Sequence, residues 1–266
     1  MSRLTGCFAQ LQEQGKKAFV SFITAGDPEP SVTVPALHSL VEGGVDILEL
    51  GVPFSDPEAD GPSIQRSSER ALQQGVTLSM VLDMVSDFRK SNEHTPIVLM
   101  GYLNSILSMG ESTFFERASQ CGVDGLIMVN LPPEESSGLS IHAEANEIDL
   151  IYLVAPTTPD KRIKLIVENV QGFIYYVSLK GITGASHLDT ASVEEQVSVL
   201  KSHAKLPIVV GFGIKTPEQA AASASLADGI VVGSELVDTM ATTQSNELIP
   251  ERLQAKAQSF RDALDG

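Results

Sequence analysis

Glu49 is the residue whose type and position point most directly to chemistry. It lies at the end of a short apolar run, 46–50, that predicts a buried strand. A carboxylate in such a place is unfavourable unless it is paired or used. A structural ion pair is the plainer explanation, but no Lys or Arg occurs between Lys17 and Arg66. Glu49 is therefore a candidate reacting carboxylate.

The loop after Glu49 offers a second carboxylate. Residues 51–62 are rich in Pro and Gly, which stiffen the loop, and they include Asp56, Glu58 and Asp60. Asp is common in such loops as a turn former, so Asp56 or Asp60 could have that role alone. Spacing by itself does not choose which of the two would react.

Glycines after two later apolar runs predict a grip for phosphate. Glycine lets the backbone approach a ligand closely, and the backbone N–H groups then bind the phosphate oxygens. The alternative is that these glycines only make tight turns. The residues are Gly211, Phe212, Gly213, Gly233 and Ser234, after the runs at 207–211 and 229–232.

A tyrosine and the loop that follows it form another candidate. Tyr175 lies in the run at 173–177, where core packing is the commoner role of a tyrosine. In residues 180–185, two glycines flank Thr183, and Gly184 is the second of them. This composition suits a loop that closes over a ligand, although an ordinary connecting loop would look the same.

Apolar side chains near the ends of other runs could line a site. Each of them alone is more easily explained as core, but together they would suit a flat apolar ligand. They are Phe22, Met100, Tyr102, Ile127, Val129, Leu153 and Phe212.

Eight short apolar runs alternate with helical segments and define the elements that must position these residues. Alternation of strand and helix predicts parallel βαβ units, whose buried strands are apolar on both faces. Eight units favour an α/β fold of the (β/α)8 barrel type, with a doubly wound open sheet as the alternative. The runs are 18–23, 46–50, 96–100, 125–129, 149–153, 173–177, 207–211 and 229–232.

The strand pattern also orients Glu49. Side chains alternate along a strand, so Ile47, Glu49 and Gly51 share one face, while Leu48 and Leu50 share the other. If the leucines face the helices, Glu49 points into the mouth of the barrel. Active sites of such barrels lie at the C-terminal ends of the strands.

The helical segments complete the predicted fold as a single domain, 1–266. Thr158-Pro159 and Thr216-Pro217 each read as an N-cap followed by proline at the first helical position. An extra helix begins the chain, and another ends it. The predicted helices are 2–14, 79–90, 112–120, 133–146, 159–169, 192–203, 217–225 and 250–264.

Charge and composition exclude several classes of protein. The formal net charge of -16 argues against nucleic acid and anionic membranes as partners, because both need a basic surface. No apolar run approaches the roughly 20 residues that span a bilayer, and the first 17 residues lack the apolar core of a signal peptide. Neither the five histidines nor Cys7 and Cys121 show metal-ligand spacing, so we expect a cytoplasmic protein without a metal.

Longer stretches of the sequence resemble the tryptophan synthase alpha subunit family along essentially the whole chain. Several ordered matches of this length are highly specific. They lie at 19–28, 49–57, 59–65, 153–159, 175–178, 181–184 and 210–214.

The resemblance implies a function and roles for the candidate residues. The family is a (β/α)8 barrel that cleaves indole-3-glycerol phosphate to indole and glyceraldehyde 3-phosphate by a retro-aldol reaction. It implies that Glu49 and Asp60 are the catalytic pair, which selects Asp60 over Asp56. It further implies that Tyr175 lies near the substrate and that the Thr183 loop closes over it. The residues that match the phosphate grip are Gly184, Gly211, Phe212, Gly213, Gly233 and Ser234, and Phe22 with its apolar neighbours matches the indole pocket.

The resemblance also implies a partner. The indole passes through a tunnel to a beta subunit, which carries pyridoxal phosphate, in an alpha2beta2 complex; no cofactor is expected in this chain. The residues that would face the partner are Pro53, Asp56, Pro57, Glu58, Asn104 and Pro132. Two alternatives stay open: a stand-alone lyase that releases free indole, and a weakly catalytic subunit that mainly activates its partner.

Five positions depart from the usual family pattern without removing a reacting group. They are Glu58, Leu103, Ser105, Asn130 and Lys180. Several of them cluster near the expected partner surface or the mobile loops. They leave open how strongly the chain binds and is activated by its partner.

Overall fold

The computed structural model describes residues 2–177, 190–211 and 213–266. Nine parallel strand segments form one sheet in the order β5-β4-β3-β2-β1-β9-β8-β7-β6. The segments are β1 (Ala18–Thr24), β2 (Ile47–Gly51), β3 (Ile97–Gly101), β4 (Gly125–Met128), β5 (Asp149–Ile151), β6 (Leu153–Val154), β7 (Ile174–Val177), β8 (Ile208–Gly211) and β9 (Gly229–Val232).

The sheet closes into a barrel because β5 and β6 are two halves of one strand. They are separated only by Tyr152; β5 pairs with β4, and β6 pairs with β7. The nine segments therefore supply eight barrel positions. The predicted (β/α)8 barrel is confirmed, and the open sheet is excluded.

Twelve α-helices surround the strands in the described part of the chain. They are α1 (Arg3–Glu13), α2 (Pro30–Glu42), α3 (Pro62–Gln73), α4 (Leu78–Arg89), α5 (Leu103–Met109), α6 (Glu111–Cys121), α7 (Ser137–Ala145), α8 (Asp160–Asn169), α9 (Thr190–His203), α10 (Pro217–Ala224), α11 (Ser234–Thr242) and α12 (Ile249–Asp265).

Two details of the helix prediction are wrong, and one is confirmed. The segment 133–146 is a short 3-10 turn, Pro133–Glu135, followed by α7, because the chain bends at Ser136. Pro159 rather than Thr158 is the N-cap of α8, since the Thr158 hydroxyl accepts a hydrogen bond from the Ala155 N–H instead. Thr216 does cap α10, accepting from the Gln219 N–H.

Two apolar layers hold the barrel together and set the direction of Glu49. Leu48 and Leu50 pack in the layer between strands and helices, whereas Ile47 belongs to the barrel interior. The N-terminal helix α1 closes the bottom of that interior, where the rings of Phe8 and Phe173 lie 5.7 Å apart. The mouth at the opposite end stays open for a site.

The described residues contain neither a membrane-spanning helix nor a cluster of metal ligands. None of the helices there is long and apolar enough to cross a bilayer. No group of three or more His, Cys, Asp or Glu side chains in this part of the chain is arranged to hold a metal ion.

Candidate active site

A cavity of about 300 Å³ opens at the C-terminal ends of the strands. Both expected carboxylates, Glu49 and Asp60, line it. Nine of the other residues singled out in the sequence line it as well: Phe22, Met100, Val129, Leu153, Tyr175, Gly211, Gly213, Gly233 and Ser234.

Size alone does not distinguish this cavity. A hollow of about 520 Å³ lies at the opposite end of the barrel against α1, and a groove of about 530 Å³ runs between α11 and α12. The acidic residues in those hollows are Asp228, Glu235 and Asp238; the first two form ion pairs with Lys201 and Lys256. Only the mouth cavity contains a buried carboxylate without a partner among the described residues, which makes it the candidate active site.

Glu49 is buried at the mouth without a hydrogen-bond partner. It is 1% exposed, and neither of its carboxylate oxygens is hydrogen-bonded to any described residue. On the neighbouring strands it is in register with Phe22 and Val98. Burial, and secondarily the charge of Asp60, raise its pKa to about 8. Glu49 therefore holds its proton at neutral pH and can donate it.

Asp60 reaches the same cavity from the loop after β2. Its Oδ2 accepts a hydrogen bond from the Tyr102 hydroxyl at 3.2 Å, and Gln65 Nε2 donates to its backbone carbonyl at 2.9 Å. Burial raises the pKa of Asp60 to about 6, while the hydrogen bond from Tyr102 lowers it. Asp60 is thus ionised at neutral pH, beside a neutral Glu49. Asp56, by contrast, is exposed and bonded to the neighbouring Ser55 hydroxyl.

Close packing of aromatic rings against glycines shapes the walls. A Cβ placed on Gly211 would lie 2.6 Å from the Tyr175 ring, and one placed on Gly51 would lie 2.6 Å from the Phe22 ring. Gly211 is therefore needed to make room for Tyr175, a role different from the phosphate contact expected from the sequence. Burial raises the pKa of Tyr175 well above its usual range, and Glu49 and Asp60 add to this, so the phenol stays neutral.

The other end of the cavity is formed by glycines, a helix start and a lysine. Gly213 has a φ of +61° and open space where a side chain would be. Ser234 is the first residue of α11, with Gly233 at its N-cap. Lys215 also lines the cavity, and it is the only basic side chain among the described residues that does so.

Sequence reasoning missed Lys215 and several apolar lining residues. The larger missed apolar side chains on helices and strands include Ile64 of α3, Val177 of β7 and Val231 of β9. Strand alternation could have found Val177, two residues beyond Tyr175. Lys215 follows the glycines by only two positions, so its proximity to the expected phosphate grip was a usable signal.

Some expected substrate contacts lie elsewhere. Ile127 is fully buried in the barrel interior and does not line the cavity. Tyr102 does not line it either; it lines a small adjoining void that shares Asp60 and Met100 with the cavity. Thr183, Gly184 and Phe212 lie outside the described residues, as does Lys180.

The expected partner-facing residues divide by exposure. Pro53 is buried, so it is not at the surface of this chain, whereas Asp56, Glu58 and Asn104 are exposed. Pro57 and Pro132 are partly exposed.

Two departures from the family pattern, Leu103 and Asn130, contact each other. The Asn130 side-chain oxygen accepts from the Leu103 N–H at 2.8 Å, and its amide nitrogen donates to Asn104 Oδ1 at 3.3 Å. Asn130 thus ties the loop after β4 to the start of α5. Ser105, a third departure, lines a small void nearby.

A closed parallel barrel with a neutral and an ionised carboxylate in one cavity at its mouth defines a class: a (β/α)8 barrel with groups suited to proton transfer. The comparisons with known proteins name the family. The family model described as tryptophan synthase alpha chain matches residues 8–265. The chain belongs to the tryptophan synthase alpha chain family.

Individual relatives match along all or most of the chain. The tryptophan synthase alpha chain of Cupriavidus metallidurans is 50% identical over 265 residues, covering 100% of both chains. That of Chromobacterium violaceum is 54% identical over 237 residues, covering 89% of this chain and 90% of the relative. The crystal structure of tryptophan synthase subunit alpha from Legionella pneumophila superimposes with a TM-score of 0.93 at 42% identity, covering 100% of this chain and 99% of that chain.

Family membership establishes the reaction. The chain is a lyase that cleaves indole-3-glycerol phosphate to indole and glyceraldehyde 3-phosphate, and its partner is the tryptophan synthase beta subunit. The family needs no cofactor of its own, because the pyridoxal phosphate belongs to the beta subunit.

Proposed function

We propose that Glu49 and Asp60 carry the cleavage, with Glu49 as the proton-transfer group and Asp60 as the electrostatic stabiliser. The observation that carries this proposal is the buried carboxylate of Glu49, which is without a partner among the described residues and shares one cavity with Asp60. A buried unpaired carboxylate is unfavourable for folding, so its persistence at a cavity points to use.

Glu49 supplies and then recovers one proton. It first donates its proton to C3 of the indole ring, which makes the ring a leaving group. The side-chain hydroxyl next to the breaking bond then loses its proton to the Glu49 carboxylate. The hydroxyl carbon becomes the aldehyde, and the electron pair of the broken C–C bond returns to the ring to give neutral indole. Glu49 ends in its starting state.

Asp60 stabilises the positive charge that forms in between. Protonation at C3 places positive charge on the indole nitrogen. A fixed carboxylate that accepts a hydrogen bond from the ring N–H lowers the energy of that intermediate. The ionised state of Asp60 at neutral pH supports this role.

The opposite end of the cavity is proposed to bind the phosphate. The backbone N–H groups near Gly213, Gly233 and Ser234 can donate to its oxygens at the start of α11. Lys215 adds a full positive charge, which offsets repulsion of a dianion by a chain of net charge -16. Phe22, Met100, Val129 and Leu153 provide the apolar walls for the indole ring.

The assembly and setting are proposed from the family. We propose an alpha2beta2 complex in which the exposed Asp56, Glu58 and Asn104 face the beta subunit. A cytoplasmic location is a prediction that this biosynthetic role favours. A single domain, 1–266, also stays a prediction.

A cleavage assay on Glu49→Gln and Asp60→Asn tests the roles of the carboxylates. Each change keeps the shape of the side chain but removes proton transfer or charge, so turnover should fall by about 10²-fold or more. Circular dichroism and the thermal midpoint control for folding, and the assay is run with a beta subunit titrated in. Near-normal turnover in either folded variant would overturn that assignment.

A further inference from the structure

We propose that Tyr102 is a positioning residue that fixes the Asp60 carboxylate towards the substrate through a hydrogen bond from its hydroxyl. The proposal rests on the role proposed above for Asp60. Tyr102 directly follows β3 and is 6% exposed, yet it does not line the mouth cavity. Tyr102 lines a small void that adjoins the cavity and shares Asp60 and Met100 with it.

The direction of the hydrogen bond from Tyr102 to Asp60 is set by a second bond. The Ala59 N–H donates to the Tyr102 hydroxyl oxygen at 3.0 Å. A backbone N–H can only donate, so the hydroxyl acts as the acceptor there, and its own single proton remains available. That proton is directed to Asp60 Oδ2, 3.2 Å away. The hydroxyl therefore favours the ionised carboxylate.

The ring of Tyr102 is itself held in place. The Phe54 ring stacks on it, with centroids 4.8 Å apart and an interplanar angle of 18°. Phe54 and Asp60 belong to the same loop, so one tyrosine joins both arms of that loop to the end of β3. Further bonds from the Asp60 N–H to the Pro57 carbonyl and from Gln65 Nε2 to the Asp60 carbonyl fix the backbone at this point.

The arrangement divides the two oxygens of Asp60 between protein and substrate. Oδ2 is occupied by Tyr102, whereas Oδ1 accepts no hydrogen bond from the described residues. A carboxylate anchored at one oxygen presents the other in a defined direction, and this reduces the reorganisation needed to bind the indole N–H. Tyr175, in contrast, lines the cavity and packs on Gly211.

The test is Tyr102→Phe, which keeps the ring and its stacking but removes the hydroxyl. Tyr152→Phe is the matched control, because it also deletes a buried tyrosine hydroxyl. That hydroxyl donates a hydrogen bond to Ser136 Oγ at 2.7 Å, and neither residue lines the mouth cavity. We expect kcat to fall about tenfold in Tyr102→Phe, as for loss of one hydrogen bond to a charged group, with KM within about twofold. Tyr152→Phe should retain kcat.

The pH profile provides a readout that a purely structural role would not move. The Tyr102 hydrogen bond lowers the pKa of Asp60, so its removal should shift the acid limb of kcat to higher pH. The other titratable and charged groups around this site are Glu49 on β2, Tyr175 on β7, Glu58 in the loop and Lys215 at the cavity. All of them are retained in Tyr102→Phe. The titration of the substrate phosphate is common to both enzymes. A normal kcat, or a lower kcat with an unmoved acid limb, would overturn the proposal.

Asp60→Asn distinguishes a failure of the positioning role of Tyr102 from a failure of the role proposed for Asp60. If Asp60→Asn is inactive and Tyr102→Phe is normal, the positioning role fails while the function of Asp60 stands. If Asp60→Asn is active, the proposed function itself fails. When both proposed roles hold, adding Tyr102→Phe to Asp60→Asn should cause little further loss of kcat, because the Tyr102 hydroxyl acts through the Asp60 carboxylate.

Discussion

Asp46 lies just before β2 and Glu49 lies within that strand, only three residues further on, yet their surroundings differ sharply. At the bottom of the barrel, Asp46 Oδ2 accepts hydrogen bonds from the Phe19 N–H at 2.8 Å and from Arg261 Nη1 at 3.1 Å. At the mouth, Glu49 accepts none from any described residue. Burial raises the pKa of both, to about 6 for Asp46 and about 8 for Glu49.

The arrangement at Asp46 recurs at the bottom of two other strands. Asp124 Oδ2 accepts from the Ile97 N–H at 2.8 Å, and Asp228 Oδ2 accepts from the Ile208 N–H at 2.9 Å. Each aspartate precedes a strand and bonds the first residues of a neighbouring one. Each also pairs with a basic side chain.

The contrast separates the carboxylates that hold the fold from the one that we propose takes part in the chemistry. Each acid at the bottom accepts hydrogen bonds from a backbone N–H group and from a basic side chain, and these bonds stabilise strand register. Glu49 at the mouth is left unsatisfied, which opposes folding but preserves a group that can give and take a proton. The two ends should therefore respond to substitution in opposite ways.

The largest expected effect is on stability at the bottom. Asp124 bonds Arg3 at 2.9 Å and Arg89 at 2.7 Å and is 4% exposed, so Asp124→Ala leaves a nearly buried Arg89 and the Ile97 N–H without this partner. We expect a loss of about 3–5 kcal/mol in urea unfolding, with kcat of the folded enzyme unchanged. Asp83→Ala, which breaks an exposed pair with Arg117, is the control and should lose less than about 1 kcal/mol. Equal losses of unfolding free energy in Asp124→Ala and Asp83→Ala would contradict the structural role given to the acids at the bottom of the barrel.

A smaller effect of opposite sign is expected at the mouth. The pKa of Glu49 is raised from 4.5 to about 8 in the folded chain, so its burial is harmless below about pH 4.5 and opposes folding as pH rises to about 8. Glu49→Gln cannot ionise and should gain on the order of a few kcal/mol over the natural chain between pH 5 and pH 9. Urea unfolding across this range measures the difference. If the unfolding free energies of Glu49→Gln and the natural chain changed with pH in parallel, that result would contradict a neutral buried Glu49.

The rate of cleavage should depend on pH through both mouth carboxylates. Activity requires ionised Asp60 and protonated Glu49, so kcat/KM should be bell-shaped, falling below about pH 6 and above about pH 8. Each limb falls about tenfold per pH unit. The alkaline limb is the sharper test because the substrate phosphate also titrates near pH 6. A rate that keeps rising to pH 10 would exclude Glu49 as the initial acid.

The smallest expected effect is at Lys215. Lys215→Gln should raise KM about 3- to 10-fold at low salt with kcat within about twofold, because it removes one cation from the phosphate end. The difference should shrink at high ionic strength, and Lys215→Arg should behave as the natural enzyme. Lys205→Gln, at the bottom of the barrel, is the matched control. An equal change of KM in both would mean that only net charge matters.

Much of the fold was predictable because side chains along a strand alternate between its two faces with a period of two residues. The alternation of Leu48 and Leu50 with Ile47 and Glu49 was enough to aim Glu49 at the interior, and the structure confirms it. Loop residues were less predictable. Asp56 and Asp60 are four positions apart in a stretch without periodicity, and the resemblance to a family was needed to prefer Asp60.

The sequence by itself determined the alternation of strands and helices, the place of Glu49 on one strand and the glycines near the proposed phosphate end, since these follow from local periodicity and residue type. Only the tertiary structure decided how the acids are partnered. Arg261 reaches Asp46 from 215 positions along the chain, and Tyr102 reaches Asp60 from 42 positions away. Such pairings depend on how distant elements pack, and local patterns carry no record of them. That is why the packed barrel, rather than the sequence, separated the satisfied carboxylate of Asp46 from the unsatisfied one of Glu49.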